Sequence, residues 1–173
     1  MTQNQNGVPP AEQSEFITLY ETIYEDLYRF AVYTLRSSQD AEDAVSEAVI
    51  DAYSSFSRLK DREKFRSWMF RILSVKCKRM MRGYYRQSAE LDEKSTIKDS
   101  DLAGSTELRA AFARLSGEER LIVSLSVFGG YSSREIGKTL FLNPNTVRSK
   151  QSRALAKIKA ELEETGTTNE VAK

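Results

Sequence analysis

The chain has 173 residues, with 26 Lys+Arg against 25 Asp+Glu, no His and a single Cys. Without His there is no Ser-His-Asp triad and no imidazole base. Cys77 alone closes no intramolecular disulfide and builds no structural zinc site. No Gly-rich phosphate loop is present, Met1–Gln13 lacks an apolar signal core, and the longest nearly apolar stretch, Leu121–Phe128, is too short to span a membrane. These features predict a cytoplasmic binding protein with no catalytic, cofactor or metal site and no membrane insertion.

Taken in order, residues 1–13 are rich in Gln, Asn and Pro and are predicted to be disordered. From Phe16 to Leu35 apolar residues recur at spacings of three and four, a helical stripe broken by Ser37-Ser38-Gln39. Asp40 is placed to cap a second helix, whose inner face is Ala44, Val45, Ala48, Ala52 and Phe56. Its other face aligns Asp40, Asp43, Glu47 and Asp51. A third helix, about Arg62–Tyr85, has apolar positions at Phe65, Trp68, Met69, Ile72, Val75 and Met80 and a basic remainder. Residues 87–105 lose hydrophobic periodicity, are acidic and contain Ser and Thr, which predicts a flexible linker between two small helical domains, 14–86 and 106–162. Four short helices are predicted in the second domain, then a flexible tail over 163–173. No strand pattern occurs, so the expected fold class is all-α.

The near-neutral total conceals segregation. Residues 11–57 carry a net −8, 58–86 a net +9, 87–107 a net −4, 108–162 a net +6, and 163–173 a net −2. Two separated basic blocks fit two contacts with a polyanion; solvated helix faces would give the same arithmetic.

The sharpest local pattern is Tyr131–Leu155. Ser132-Ser133-Arg134-Glu135 is a capping box that opens a short helix holding Ile136 and Leu140. Phe141-Leu142-Asn143-Pro144 makes a tight turn, with Asn143 as N-cap and Pro144 at the first helical position. The next helix points Val147, Gln151, Ala154, Ile158 and Leu162 inward. Asn145, Arg148, Ser149 and Ser152 face outward, flanked by Lys150, Arg153 and Lys157. A helix-turn-helix sets the start of its second helix in the major groove, where Asn and Arg read base edges and flanking cations hold phosphates. A plain helical hairpin with a basic face is the competing reading.

The order of these parts resembles a bacterial RNA polymerase sigma factor of the extracytoplasmic-function (ECF) group. Asp40-Ala41-Glu42-Asp43-Ala44-Val45-Ser46-Glu47-Ala48 is similar to the family's region 2.2, and Phe65-Arg66-Ser67-Trp68-Met69-Phe70-Arg71-Ile72 to its regions 2.3–2.4. Leu115–Arg120, Tyr131–Gly137 and Asn145–Lys150, with Arg153-Ala154 beyond, are similar to its region 4. The resemblance implies core RNA polymerase as a partner, with Asp40, Asp43, Glu47 and Asp51 on the β′ clamp helices and region 4 at the β flap. It implies promoter DNA as the second partner. The −10 element would be held by Arg62, Lys64, Arg66, Trp68, Arg71, Lys76, Lys78, Arg79 and Arg82, with the loop Ser57–Lys64 capturing bases. The −35 element would be read by Ser132, Arg134, Asn145, Thr146, Arg148, Ser149, Lys150, Ser152, Arg153 and Lys157. An anti-sigma factor is a possible third partner.

Three departures stand out. Ser46 occupies a position where the family often has Gln. Leu73–Arg79 replaces the usual Ala-Arg-Asn continuation, and Gly137 replaces an Ala at an expected cost of about 1 kcal/mol in helix propensity. The resemblance predicts an alternative sigma factor that directs promoter-specific initiation. A helix-turn-helix regulator acting without core polymerase, or a helical adaptor, would share part of the pattern.

Overall fold

The computed structural model describes residues 9–87 and 106–171. Eight α-helices make up the described residues, without strands: α1 (Pro10–Glu21), α2 (Tyr24–Leu35), α3 (Ser38–Ser55), α4 (Phe65–Gln87), α5 (Thr106–Ala113), α6 (Gly117–Val127), α7 (Ser133–Leu140) and α8 (Pro144–Val171). The expected linker falls on residues 88–105, outside the described residues.

The first helical stripe is two helices. Ile23, buried and outside helical geometry at φ −122°, ends the first run, and the Thr22 hydroxyl donates to Leu19 O at 2.6 Å. Chain entry also lies earlier than expected, because Pro10 suits the first position of α1, where an amide would have no partner. The cap of α3 is Ser37, whose Oγ accepts from the Asp40 amide at 3.2 Å; Asp40 sits in the first turn. Here it favours the positive helix end instead of closing it. The expected inner face of α3, from Ala44 to Ala52 and on to Phe56, is buried as read.

α4 is central. It packs on α2 and α3 and also on α6, so Phe65, Met69, Phe70, Leu73, Cys77 and Met81 are all buried. The expected stripe included Val75, which is 57% exposed, and missed Phe70 and Leu73. A helix with neighbours on three sides needs a wider apolar sector than one amphipathic stripe. Cys77 fills space in that core, and burial pushes its thiol far above the ordinary range.

The second half follows the sequence closely. The expected capping box of Ser132 with Glu135 opens α7, and a second, of Ser116 with Glu119, opens α6. Asn143 Oδ1 accepts from the Asn145 amide at 2.8 Å at the start of α8. Val147, Ala154 and Ile158 are the buried face of α8, and Gln151 donates to Ser126 Oγ at 2.8 Å. Leu162, expected inside, is 37% exposed, because α8 runs on to Val171 past the helices that cover its first half.

The turn between α7 and α8 explains Gly137. The Leu142 amide donates to Gly137 O at 2.9 Å, and a Cβ on Gly137 would lie 2.6 Å from Leu142 O. The glycine admits a close backbone approach, so its propensity cost is set against a turn that needs it. Phe141 closes α7 in the left-handed region at φ 60°, with its ring 90% exposed.

Two outcomes follow for stability. Gly137→Ala, which propensity alone would make stabilising by about 1 kcal/mol, lowers the thermal midpoint instead; calorimetry of the two proteins decides. The second concerns pH. Hydrogen bonds from the Ser132 hydroxyl and amide hold the Glu135 carboxyl below the ordinary 4.5. Burial raises Glu119, but Lys157 and the Ser116 amide outweigh it and leave the group lowered. A depressed carboxylate stabilises fully above its unfolded pKa and loses that contribution as pH falls through the folded value. Thermal melts therefore hold steady down to about pH 4.5 on account of these two groups and decline below it, and the Glu119→Gln, Glu135→Gln double variant shows a shallower decline.

Candidate nucleic-acid interface

The acidic line of α3 runs beside the basic side of α4. Lys76, only 13% exposed, pairs with Asp51 at 2.5 Å and Glu47 at 3.6 Å, and Arg79 also pairs with Glu47. Lys76 and Arg79 are thus partly spent on α3. Asp43 is exposed, Asp40 is half-buried, and neither has an ion pair among the described residues. The acidic face therefore splits into a free N-terminal half and a braced C-terminal half.

The loop between α3 and α4 is held from inside by Arg62. Its guanidinium donates to Phe56 O at 3.0 Å and to Leu59 O, lies 3.9 Å over the Phe56 ring, and pairs with Glu15 at 3.2 Å. Asp61 Oδ1 accepts from the Glu63 amide at 3.1 Å, and Lys64 pairs with Asp61 at 3.1 Å. Arg58 and Lys60 remain exposed at the loop's surface; the sequence reading did not single them out, although both lie within the stretch assigned to base capture.

Along α4 the remaining expected residues separate. Arg71 and Arg82 are exposed. Trp68 is half-buried against the Phe65 ring, 6.0 Å between centroids. Arg66 pairs with Asp26 at 3.0 Å and donates to Phe128 O at 2.6 Å; Lys78 donates to Leu140 O at 3.3 Å. Both therefore reach into the second half of the chain. Side-chain sequence patterns gave no sign of this, because the partners are backbone carbonyls about sixty positions away.

The helix-turn-helix presents a coherent outer face. Arg134, Asn145, Thr146, Arg148, Ser149, Ser152 and Arg153 are all exposed. Arg148 Nε reaches Pro144 O at 3.4 Å and Arg153 Nε reaches Ser149 O at 3.3 Å, each one turn back along α8. Ser132 is committed to its capping box. Lys150 pairs with Glu118, and Lys157 with Glu119 at 2.8 Å, so these two cations tie α8 to the start of α6. The unpaired polar groups lie on the exposed side of α8 nearest its N-terminus, which is the part a major groove accepts.

Residues 19–87 match the sigma-70 region 2 family model, and residues 105–158 match the sigma-70 region 4 model. The chain is 28% identical over 146 residues to the ECF RNA polymerase sigma factor SigM of Mycobacterium tuberculosis, covering 83% of this chain and 74% of that protein. It is 22% identical over 165 residues to the ECF RNA polymerase sigma factor SigX of Bacillus subtilis, covering 87% and 85%. Among solved structures, the sigma factor RpoE in complex with the anti-sigma factor NepR from Bartonella quintana shares the fold at a TM-score of 0.68 and 20% identity, covering 87% of this chain and 96% of that one. CnrH in complex with the cytosolic domain of CnrY does so at 0.60 and 22%, covering 88% and 90%. With both matched regions present in this order, the first holding α2–α4 and the second α5–α7 and the first half of α8, the chain belongs to the sigma-70 family and to its ECF group.

Proposed function

We propose that the chain is an alternative sigma factor that binds core RNA polymerase and directs it to a promoter class, with no covalent chemistry of its own and a cytoplasmic place of work. The observation that carries this reading is the division of charged side chains among three helices in the family's order. An acidic line lies on α3, a basic set on α4 and the loop before it, and an exposed polar-basic face on α8. A basic protein partner suits the first, and two separate DNA elements suit the others.

Under this reading 14–86 and 106–162 are the two working modules. Asp43 is the acid best placed for the polymerase clamp, since it enters the contact without leaving an internal partner; Asp40, Glu47 and Asp51 extend the line. For the −10 element, Arg71 and Arg82 offer phosphate contacts, joined by Arg66, Lys76, Lys78 and Arg79 as their internal partners exchange. Arg62 and Lys64 shape the base-capture loop, and Trp68 backs it. Single-stranded DNA is held this way, by cations along the backbone and shaped surfaces for bases. For the −35 element Asn145, Thr146, Arg148, Ser149 and Ser152 address bases, while Arg134, Lys150, Arg153 and Lys157 hold phosphates around the Ser132 turn. An anti-sigma factor is a fitting regulatory partner, of the kind that NepR is to RpoE.

Run-off transcription with purified core polymerase tests the whole. The chain supports promoter-specific initiation. Asp43→Lys abolishes core binding in a pull-down and with it transcription. Arg148→Ala reduces initiation at the cognate −35 sequence about tenfold, in line with roughly 1–3 kcal/mol per base contact. DNA binding without any core-dependent transcription would sink the proposal in favour of a regulator that works alone.

A further inference from the structure

Four side chains cross between the two modules, and each donates to a backbone carbonyl on the other side. Arg66 takes Phe128 O and Lys78 takes Leu140 O, while Arg120 Nε takes Thr34 O at 2.9 Å and the Tyr131 hydroxyl takes Ser67 O. Beside the Lys78 crossing, where α4 meets the first turns of α6 and the end of α7, the packing leaves a cavity of about 150 Å³. Space of about 150 Å³ holds a body the size of a benzene ring.

The floor of this cavity is apolar. Met81 of α4, Leu121 of α6 and Leu140 of α7 line it, and all three are buried. Gly117, the first residue of α6, adds backbone to the lining without a side chain. The rim is different: Arg82 and Glu118 are exposed and Lys78 is half-buried.

The rim charges do not cancel. Glu118 is engaged by Lys150 of α8. Arg82 has no ion pair among the described residues. Lys78 uses one N–H on Leu140 O at 3.3 Å, and an ammonium carries three. The start of α6 at Gly117 adds the positive end of a helix dipole. An anion is therefore favoured at the rim, and a planar carboxylate matches the guanidinium fork of Arg82. A phosphate alone would leave the apolar floor unfilled, and a hydrocarbon alone would leave the two cations without a partner.

From this pairing of a ring-sized apolar floor with two cations at its rim we infer a binding site for a small aromatic or branched aliphatic carboxylate. The apolar body rests on Met81, Leu121 and Leu140, and the carboxylate meets Arg82 and Lys78. Both modules contribute to the site, so a bound molecule stabilises their packing by mass action. The inference is read from the cavity and its rim and stands apart from the function proposed above.

The test uses the full chain with isotope-labelled methionine methyl groups, followed by NMR, and benzoate as the probe. Met81 lines the cavity, and its resonance is assigned with Met81→Leu. The fully buried Met69 lies about 18 Å back along α4 and serves as the internal control. Benzoate shifts the Met81 methyl through its ring current, leaves Met69 in place and raises the thermal midpoint. Benzylamine, of similar size and opposite charge, binds about tenfold more weakly. Arg82→Ala weakens benzoate binding about fivefold, and a melt without ligand verifies that this exposed substitution leaves the fold intact. The inference is overturned by a Met81 resonance that stays in place at millimolar benzoate, by equal movement of Met69, by benzylamine binding as tightly as benzoate, or by full benzoate affinity in Arg82→Ala.

Discussion

The packing of α6 against α2 and α4 is the contact on which the rest of the arrangement depends. It makes one apolar cluster out of two modules, running from Phe16 in α1 to Val147 in α8. Small helical modules have little interior each, and sharing a wall raises the fraction of apolar surface that each removes from water. That sharing accounts for the unusually buried end of α2, where Ala31, Val32, Tyr33, Thr34 and Leu35 are all inside, whichever way they point around the helix. It also accounts for the width of the apolar sector on α4. A DNA-facing helix in a lone module would leave that sector narrower and its cations in water.

Helix ends set how this contact is finished. Each module offers the other a carbonyl at or near a helix terminus or turn, and each is met by a cation or a phenol. Tyr131 suits the role. Its hydroxyl is raised to about 12, chiefly by burial and then by the nearby Glu135, with Arg71 acting the other way. It therefore remains a donor at any pH the protein meets. The crossing bonds are not ion pairs, so added salt weakens them less than it would weaken a charge-to-charge seam.

Much of this was legible in the sequence, and the reasons are physical. Capping boxes, Asn143-Pro144 and the inner face of α3 are encoded within a few residues, so local chemistry is enough to place them. The acidic and basic faces of α3, α4 and α8 are also local, because charge at helical spacing defines a face without reference to neighbours. What escaped were features decided at long range. The roles of Arg66 and Lys78 depend on carbonyls that any residue could have supplied. The burial of Phe70 and Leu73 depends on a third neighbour for α4. The need for Gly137 depends on how closely Leu142 O returns to it. Asp40 was misread as a cap for a simpler reason. Ser37 precedes it by three residues and offers the same kind of oxygen, and only the geometry chooses between them.

The charge balance takes its meaning from these contacts. Lys76 and Arg79 lie against Glu47 and Asp51, Arg66 lies against Asp26, and Lys150 and Lys157 lie against Glu118 and Glu119. A near-zero net charge therefore reflects internal neutralisation of the very groups that two polyelectrolyte partners would use. The pairs are mostly surface pairs, worth little each to stability, so exchanging an internal partner for an external one costs little. Asp43 at one end, and Arg71, Arg82 and Arg148 at the other, stand outside this neutralised set. Under the proposed function, first encounter with either partner falls to them, and the paired residues follow as the contact forms.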